Sequence, residues 1–304
     1  MSANTRPILS FVILIFLGAI WGTGYSIARF AMTNGVPPLG YSFWQSIGPA
    51  IVIGLLALIR HRTVTTSTSN LRFYLICGLT GIAIPNTSMY FAAPHLPASI
   101  LAMIVNIVPI IAYPIALFVG LEKFSWERMI GILCAVAGLM LIILPKSSLP
   151  SAEMIPWVLS TLITPVSFAF CSIYIAKYRP KNSSLLALTA GMLIASSILL
   201  IPLVFMTHNF YMLHLPLTSP DWIILLEIAL SSIGYVLFMQ LIKIAGPVYY
   251  SLVDTIVVLT GIFWGYLIFN EHLNRWTLTA VCLILLALLL VTQQQRYAAR
   301  LRGN

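Results

Sequence analysis

Two acidic residues stand inside otherwise apolar runs: Glu227 soon after Trp222, and Asp254 in the run that ends at Phe269. A charged group at mid-depth in hydrocarbon costs about 2.5–3.5 kcal/mol on insertion scales, so one that is retained usually faces a cavity. Both are candidate proton or substrate-cation sites. A helix beginning near residue 247 puts Asp254 roughly 10 Å along its axis at 1.5 Å per residue, on a face shared with Tyr250, Gly261 and Gly265. Ser231 and Tyr235 follow Glu227 on its face. The competing readings are a carboxyl bonded to a neighbouring helix for Asp254 and a carboxylate that reaches interfacial water for Glu227.

Uncharged binding chemistry recurs at one-turn spacing in other runs. Trp21 and Tyr25 flank Gly22 and Gly24, giving an aromatic wall beside a backbone open to close approach. Tight helix packing accounts for the glycines equally well. Asn86 and Tyr90 follow Pro85; Asn106, Pro109 and Tyr113 share a face; Phe168 and Ser172 follow Pro165. Proline removes a backbone donor and frees a carbonyl, which near the midplane of a membrane is one way to build a substrate site from broken helices. Gln45 could bond a substrate or a neighbouring helix. The candidate substrate-binding residues are thus Trp21, Tyr25, Gln45, Asn86, Tyr90, Asn106, Tyr113, Phe168, Ser172, Tyr235 and Tyr250.

Other polar residues have plainer explanations. Glu122 and Glu271 sit at hairpins, where a carboxylate caps the next helix. Arg29 and Lys243 lie at run ends and can snorkel to headgroups. His95, between Pro94 and Pro97, reads as a wet turn residue. Cys77, Cys134, Cys171 and Cys282 are isolated in different runs, without metal or redox spacing. No Gly-x-Ser-x-Gly, paired aspartates or phosphate-binding loop occurs, so no enzyme chemistry, no metal and no cofactor are expected.

The elements that position these residues follow from composition. Of 304 residues 60% are apolar and 8% charged, with mean hydropathy +0.99, against roughly 25% charged in an average soluble domain. The net charge of +9 does not form a basic stripe for nucleic acid; the basic residues fall between apolar runs. Ten runs suit spanning helices of roughly 17–25 residues: 8–30, 39–59, 73–93, 98–119, 129–144, 155–176, 185–206, 222–242, 247–269 and 277–292. With both termini cytoplasmic, thirteen of the sixteen Lys and Arg fall inside and only Arg29, Lys146 and Arg275 outside, as the positive-inside rule requires. The first run is too long for a cleaved signal.

The two halves echo each other. The stretch from Pro97 through Leu121, Glu122, Phe124 and Trp126 to Leu144 returns as Pro247 through Asn270, Glu271, Leu273 and Trp276 to Val291, with the two acids 149 residues apart. Five runs separate the equivalent loops, so Glu122 falls inside and Glu271 outside, the mark of an inverted repeat. The expected fold is an all-α polytopic membrane protein of ten helices in two five-helix repeats, residues 1–146 and 147–304.

These features resemble the EamA-type members of the drug/metabolite transporter superfamily. The resemblance rests on Gly18, Ala19, Ile20, Trp21, Gly22 and Thr23, on Ala98 to Ala102 leading to Pro109, and on Leu121 and Glu122 before Gly131. In the second half it rests on Ala245, Gly246, Pro247, Asn270 and Glu271. It implies two inverted bundles around a central cavity, exporting amino acids or other small metabolites. One departure falls in helix two, where many members carry Arg and this chain has Gln45. The function expected is a secondary transporter of the inner membrane, moving a small molecule such as an amino acid or amine and coupled to protons or to the substrate's own gradient. The alternatives are a flippase for a lipid-linked substrate, an intramembrane enzyme and an accessory subunit.

Overall fold

The structure, a computed structural model, describes residues 5–143, 151–180, 183–250 and 253–302. It contains helices and no strand among them. Among the described residues seven helical stretches are long and apolar enough to cross a membrane. Five are α1 (Thr5–Thr33), α2 (Pro38–Ile59), α3 with α4 (Thr68–Gly78, Ile84–Ala92), α5 with α6 (Ala98–Val105, Val108–Phe118) and α8 with α9 (Ile155–Thr161, Ile163–Tyr178). The other two are α10 (Leu185–Met206) and the first part of α11 (Ser219–Tyr250). The remaining expected runs hold α7 (Trp126–Ile143) and two shorter apolar stretches within α12 (Val253–Phe269) and α13 (Arg275–Arg302).

Local chemistry sets the ends. Ser67 and Ser184 cap α3 and α10 by accepting from Asn70 N and Ala187 N, a saving on the order of 1 kcal/mol each. Gly35 and Gly120, at φ +90° and +72°, turn the chain out of α1 and α6, a conformation glycine adopts without a Cβ penalty.

Three expected helices are interrupted, each just ahead of a proline. Pro85 cannot donate to Gly81 O, and a π-helical turn covers Leu79–Ala83. Pro109 cannot donate to Val105 O, and α5 stops at Asn106. Pro165 cannot donate to Thr161 O, and α8 gives way to α9 at Leu162. Hydroxyls of α9 bond backbone carbonyls on either side of the first interruption: Thr164 Oγ1 donates to Pro85 O (2.9 Å) and Ser167 Oγ to Thr80 O (2.7 Å). Another expectation is corrected. α11 continues through Pro247 to Tyr250 and α12 starts at Val253, so Asp254 lies in the first turn of its helix rather than seven residues in.

Packing is centred on α1, which lies against α11 and α12, while α2 lies against α10 and α11, α6 against α9, and α7 against α13. Small residues permit the close approaches, as is usual where no hydrophobic drive separates protein from lipid. A β-carbon on Gly22 would meet Val257 O at 2.8 Å, and one on Gly78 would meet Met192 O at 2.7 Å and Ser196 N at 2.9 Å. These contacts are backbone and cannot swing aside. Gly78→Ala should therefore lower stability by about 1–3 kcal/mol, seen as an earlier thermal unfolding midpoint in detergent. Gly54→Ala, with nothing within 4 Å, should leave the midpoint unchanged or raise it slightly.

Candidate functional site

A central cavity of about 410 Å³ is lined from every side by the interrupted helices and their partners. α1 contributes Trp21, Gly24 and Tyr25; α2 contributes Gln45; α4 contributes Asn86 and Tyr90. Asn106 enters at the α5–α6 break, Phe168 and Ser172 from α9, Glu227, Ser231, Tyr235 and Phe238 from α11, and Asp254 from α12. Gly81 and Ile82 of the widened turn and Val105, Asn106 and Val108 around the α5–α6 break line it. Among the described lining residues Arg179, exposed at the end of α9, is the single basic one.

Two polar networks organise the walls. Asn86 Nδ2 donates to Gln45 Oε1 (2.8 Å), Gln45 Nε2 to Ser231 Oγ (3.5 Å), and Ser231 Oγ to Glu227 Oε1 (2.7 Å). On the other side Asn106 Nδ2 donates to Tyr25 Oη (2.9 Å) and to Ala102 O (2.7 Å). Glu227 is buried, whereas Asp254 is half-buried and has no hydrogen-bond partner among the described residues. Trp21 and Phe238 pack at 5.9 Å. Tyr41, buried behind the wall and packed edge-on against Tyr90 at 4.7 Å, carries a hydroxyl with no partner among the described residues.

The two ends of the molecule differ. Glu271, in the turn after α12, pairs with Arg29 of α1 and accepts from Ala98 N (2.8 Å), Ser99 N (3.1 Å) and Ser99 Oγ (2.6 Å) at the start of α5. Arg29 also stacks on the Phe269 ring at 4.4 Å. At the same end Trp44 Nε1 donates to Tyr211 O (2.8 Å), and His95 stacks on Trp157 at 3.8 Å. None of these residues lines the cavity. Asn70 Nδ2 donates to Ser183 Oγ (3.0 Å), which joins the start of α3 to the start of α10 at the opposite end. There the lining runs out to Phe73, Leu185 and the exposed Arg179. Glu122 at that end pairs through its side chain with Arg128 of α7 (3.2 Å).

The cavity collects eleven of the residues singled out in the sequence: Trp21, Tyr25, Gln45, Asn86, Tyr90, Asn106, Phe168, Ser172, Tyr235, Glu227 and Asp254. Tyr113 does not join them. Its hydroxyl donates to Lys123 O (3.0 Å) and Arg128 lies over its ring, because the break at Asn106 changes the face it would have shared. Tyr250 ends α11, and its side chain lies outside the described residues. Arg29 does not snorkel, and Glu271 caps α5 rather than the helix that follows it. Phe73, Cys171, Arg179 and Phe238 line the cavity without having been singled out; the wide apolar runs around them gave no face preference, and only the basic end of α9 carried a signal. Cys171 and Cys77, isolated in sequence, meet, with Cys171 Sγ donating to Cys77 O at 3.9 Å. No group of three metal-ligating residues occurs among the described residues.

The difference between the ends is testable by chemistry alone. With the four native cysteines replaced by alanine, Ser172→Cys should react with a membrane-impermeant thiol reagent added at the Arg179 end and at least tenfold more slowly from the Glu271 end. Equal rates from both sides would show that the Glu271 end is open.

Comparison with known proteins agrees with this architecture. Protein PecM of Dickeya dadantii (strain 3937) is 23% identical over 283 residues, covering 92% of this chain and 91% of its own length. A WAT1-related protein of Arabidopsis thaliana is 26% identical over 140 residues, 42% of this chain and 38% of its own. A crystal structure of a protein 16% identical superposes with a TM-score of 0.64 over 98% of this chain and 99% of its own, a likeness of fold. The EamA-like transporter family matches over residues 9–144 and again over 155–293. With nearly the whole length matched and seven helices apolar enough for lipid, this chain is a multi-pass membrane protein that belongs to the EamA-like transporter family of the drug/metabolite transporter superfamily.

Proposed function

We propose that the protein is a secondary transporter that exports a small amine or amino acid across the inner membrane. Two inverted five-helix halves, residues 1–146 and 147–304, alternate access to the central cavity. The observation that carries this reading is a single cavity lined from both family matches, lying behind a sealed end and reaching the surface at the other. The sealed end bears Arg29 and Arg275, and the open end bears Arg62, Arg72, Lys177 and Arg179. The positive-inside rule then puts the open end and both termini in the cytoplasm.

The packing supports the inverted repeat. Under an exchange of halves α1 becomes α8–α9, α2 becomes α10, α3–α4 becomes α11, α5–α6 becomes α12 and α7 becomes α13. The pair α1 with α12 then becomes α9 with α6; α1 with α11 becomes α9 with α4; and α3 with α10 becomes α11 with α2. The pairs α2 with α10, α5 with α12 and α7 with α13 map onto themselves. All of these contacts are present, as expected for two halves related by an axis in the membrane plane.

Alternation on this scheme breaks the Glu271 cluster and closes the other end. Glu122 is the counterpart of Glu271, and Lys177 and Arg179 at the end of α9 stand where Arg29 stands on α1. In the outward-open state Glu122 therefore exchanges Arg128 for one of these bases. Glu271→Gln weakens the outer seal, so a larger fraction of molecules opens outward. In the thiol experiment above, this variant should raise the reaction rate of Ser172→Cys from the outer side severalfold.

The function itself is tested in liposomes. Uptake of a panel of amines and amino acids should exceed that of empty vesicles and respond to an imposed pH gradient, and Asp254→Asn should lose about tenfold or more of that response. A panel indistinguishable from empty vesicles would sink the transporter reading.

A further inference from the structure

Among its described lining residues the cavity places two carboxylates on two different helices, with one cation at its exposed rim. An ionic deficit of this kind in a lipid-surrounded site is met by one divalent cargo, or by a monovalent cargo together with a proton. The surroundings of the two acids decide between these. At Glu227 every donor of the chain Asn86, Gln45 and Ser231 is turned toward the carboxylate, which fixes its position and satisfies one oxygen as an anion. Both oxygens stand 3.9 Å from where a β-carbon on Gly24 would be, so α1 leaves this carboxylate uncovered. Trp21 and Phe238 border the same space, and aromatic faces of that kind attract organic cations.

Asp254 is different. It receives no hydrogen bond among the described residues, and the donor it lacks is the one a proton supplies. When the proton leaves, the first turn of α12 offers the anion the positive end of its helix dipole. Of the elements packed on α12, α1 presents Tyr25, whose hydroxyl accepts from Asn106 and keeps its own hydrogen for a partner. α5 has no titratable residue, and no described residue of α13 lines the cavity. Among the described residues the titratable groups within electrostatic reach of Glu227 are Tyr41 of α2, Tyr90 of α4 and Tyr235 on its own helix. No basic residue lies among these neighbours.

We propose that the two carboxylates divide the work. Glu227 seats the ammonium of a monovalent organic amine with an aromatic or apolar body, and Asp254 carries the proton exchanged for it. One amine bound releases one proton. This deepens the transporter reading and rests on it for its physiological meaning, but it concerns binding and can be read without transport.

The test is calorimetric titration of the purified full chain in detergent at pH 7, in two buffers of different ionisation enthalpy, with 2-phenylethylamine, putrescine and L-phenylalanine as probes. For wild type, 2-phenylethylamine should bind best of the three and release about one proton per ligand. Glu227→Gln should weaken it by about a hundredfold or more; Asp254→Asn, neutral as the protonated acid is, should weaken it at pH 7 only by the roughly tenfold that release of one proton requires by linkage, and should release none. Gly24→Ala, which fits sterically but covers the Glu227 carboxylate, should weaken binding severalfold with proton release unchanged.

Binding without proton release in wild type would overturn the proposal. So would equal loss in the Glu227 and Asp254 variants, or a zwitterion or diamine that binds tenfold tighter than the monoamine. Amine binding with proton release but no liposome transport would uphold this division and defeat the transporter reading. Proton-driven transport of another cargo, with none of the probes bound, would do the reverse.

Discussion

In a chain with 8% charged residues and seven helices apolar enough for lipid, a polar group without a partner has no water to turn to. Each one costs several kcal/mol in hydrocarbon, and that cost governs where the backbone breaks, what stands opposite each break and where the cavity lies. Prolines 85, 109 and 165 each withdraw a donor; beside the first break Thr164 and Ser167 of α9 bond the backbone of the α3–α4 segment, and at the second Asn106 opens to the central space. The cavity is where the broken helices converge, so it is a consequence of backbone chemistry as much as of side-chain choice.

The same cost explains the Glu271 cluster. The first amides of α5 have no partners within their own helix, and Arg29 is a cation only 22% exposed on its side chain. One carboxylate answers both needs, and in doing so joins α1, α5 and the turn after α12. The bond set is structural in origin, yet it is also reversible, because every partner is polar and can be rehydrated if the helices part. The glycines of α1 complement this. Gly18 and Gly22 seat the helix against Ile256, Thr260 and Val257 of α12, while Gly24 makes room beside Glu227 of α11, so a single helix touches both carboxylate-bearing elements.

Much of this could be read from residue order. Hydropathy placed the helices, because lipid imposes a length and an apolar composition that few other environments demand. Asn86 next to Pro85, Asn106 three residues before Pro109 and Phe168 three residues after Pro165 pointed toward the site, since a proline within a turn marks a backbone that cannot close on itself. Tyr113 shows where such reasoning stops: it shares a helical face with Asn106 only if the helix is continuous, and Pro109 ensures that it is not. Asp254 likewise shifted from the middle of a helix to its first turn because α11 runs on through Pro247, against the local preference of a proline for a helix start.

The sequence by itself determined that this is a multi-helix membrane chain, that its acids are few and costly, and which broken helices could surround a cavity. Those properties are local, set by composition and by spacing along one helix. Only the tertiary structure decided that Glu271 reaches Arg29 across 242 residues of chain, that Glu227 is held by a relay from α2 and α4 while Asp254 has no donor among the described residues, and that Arg179 forms the rim. Partner choice depends on which helices pack together, and in an apolar sequence nearly every helix face is equally able to pack.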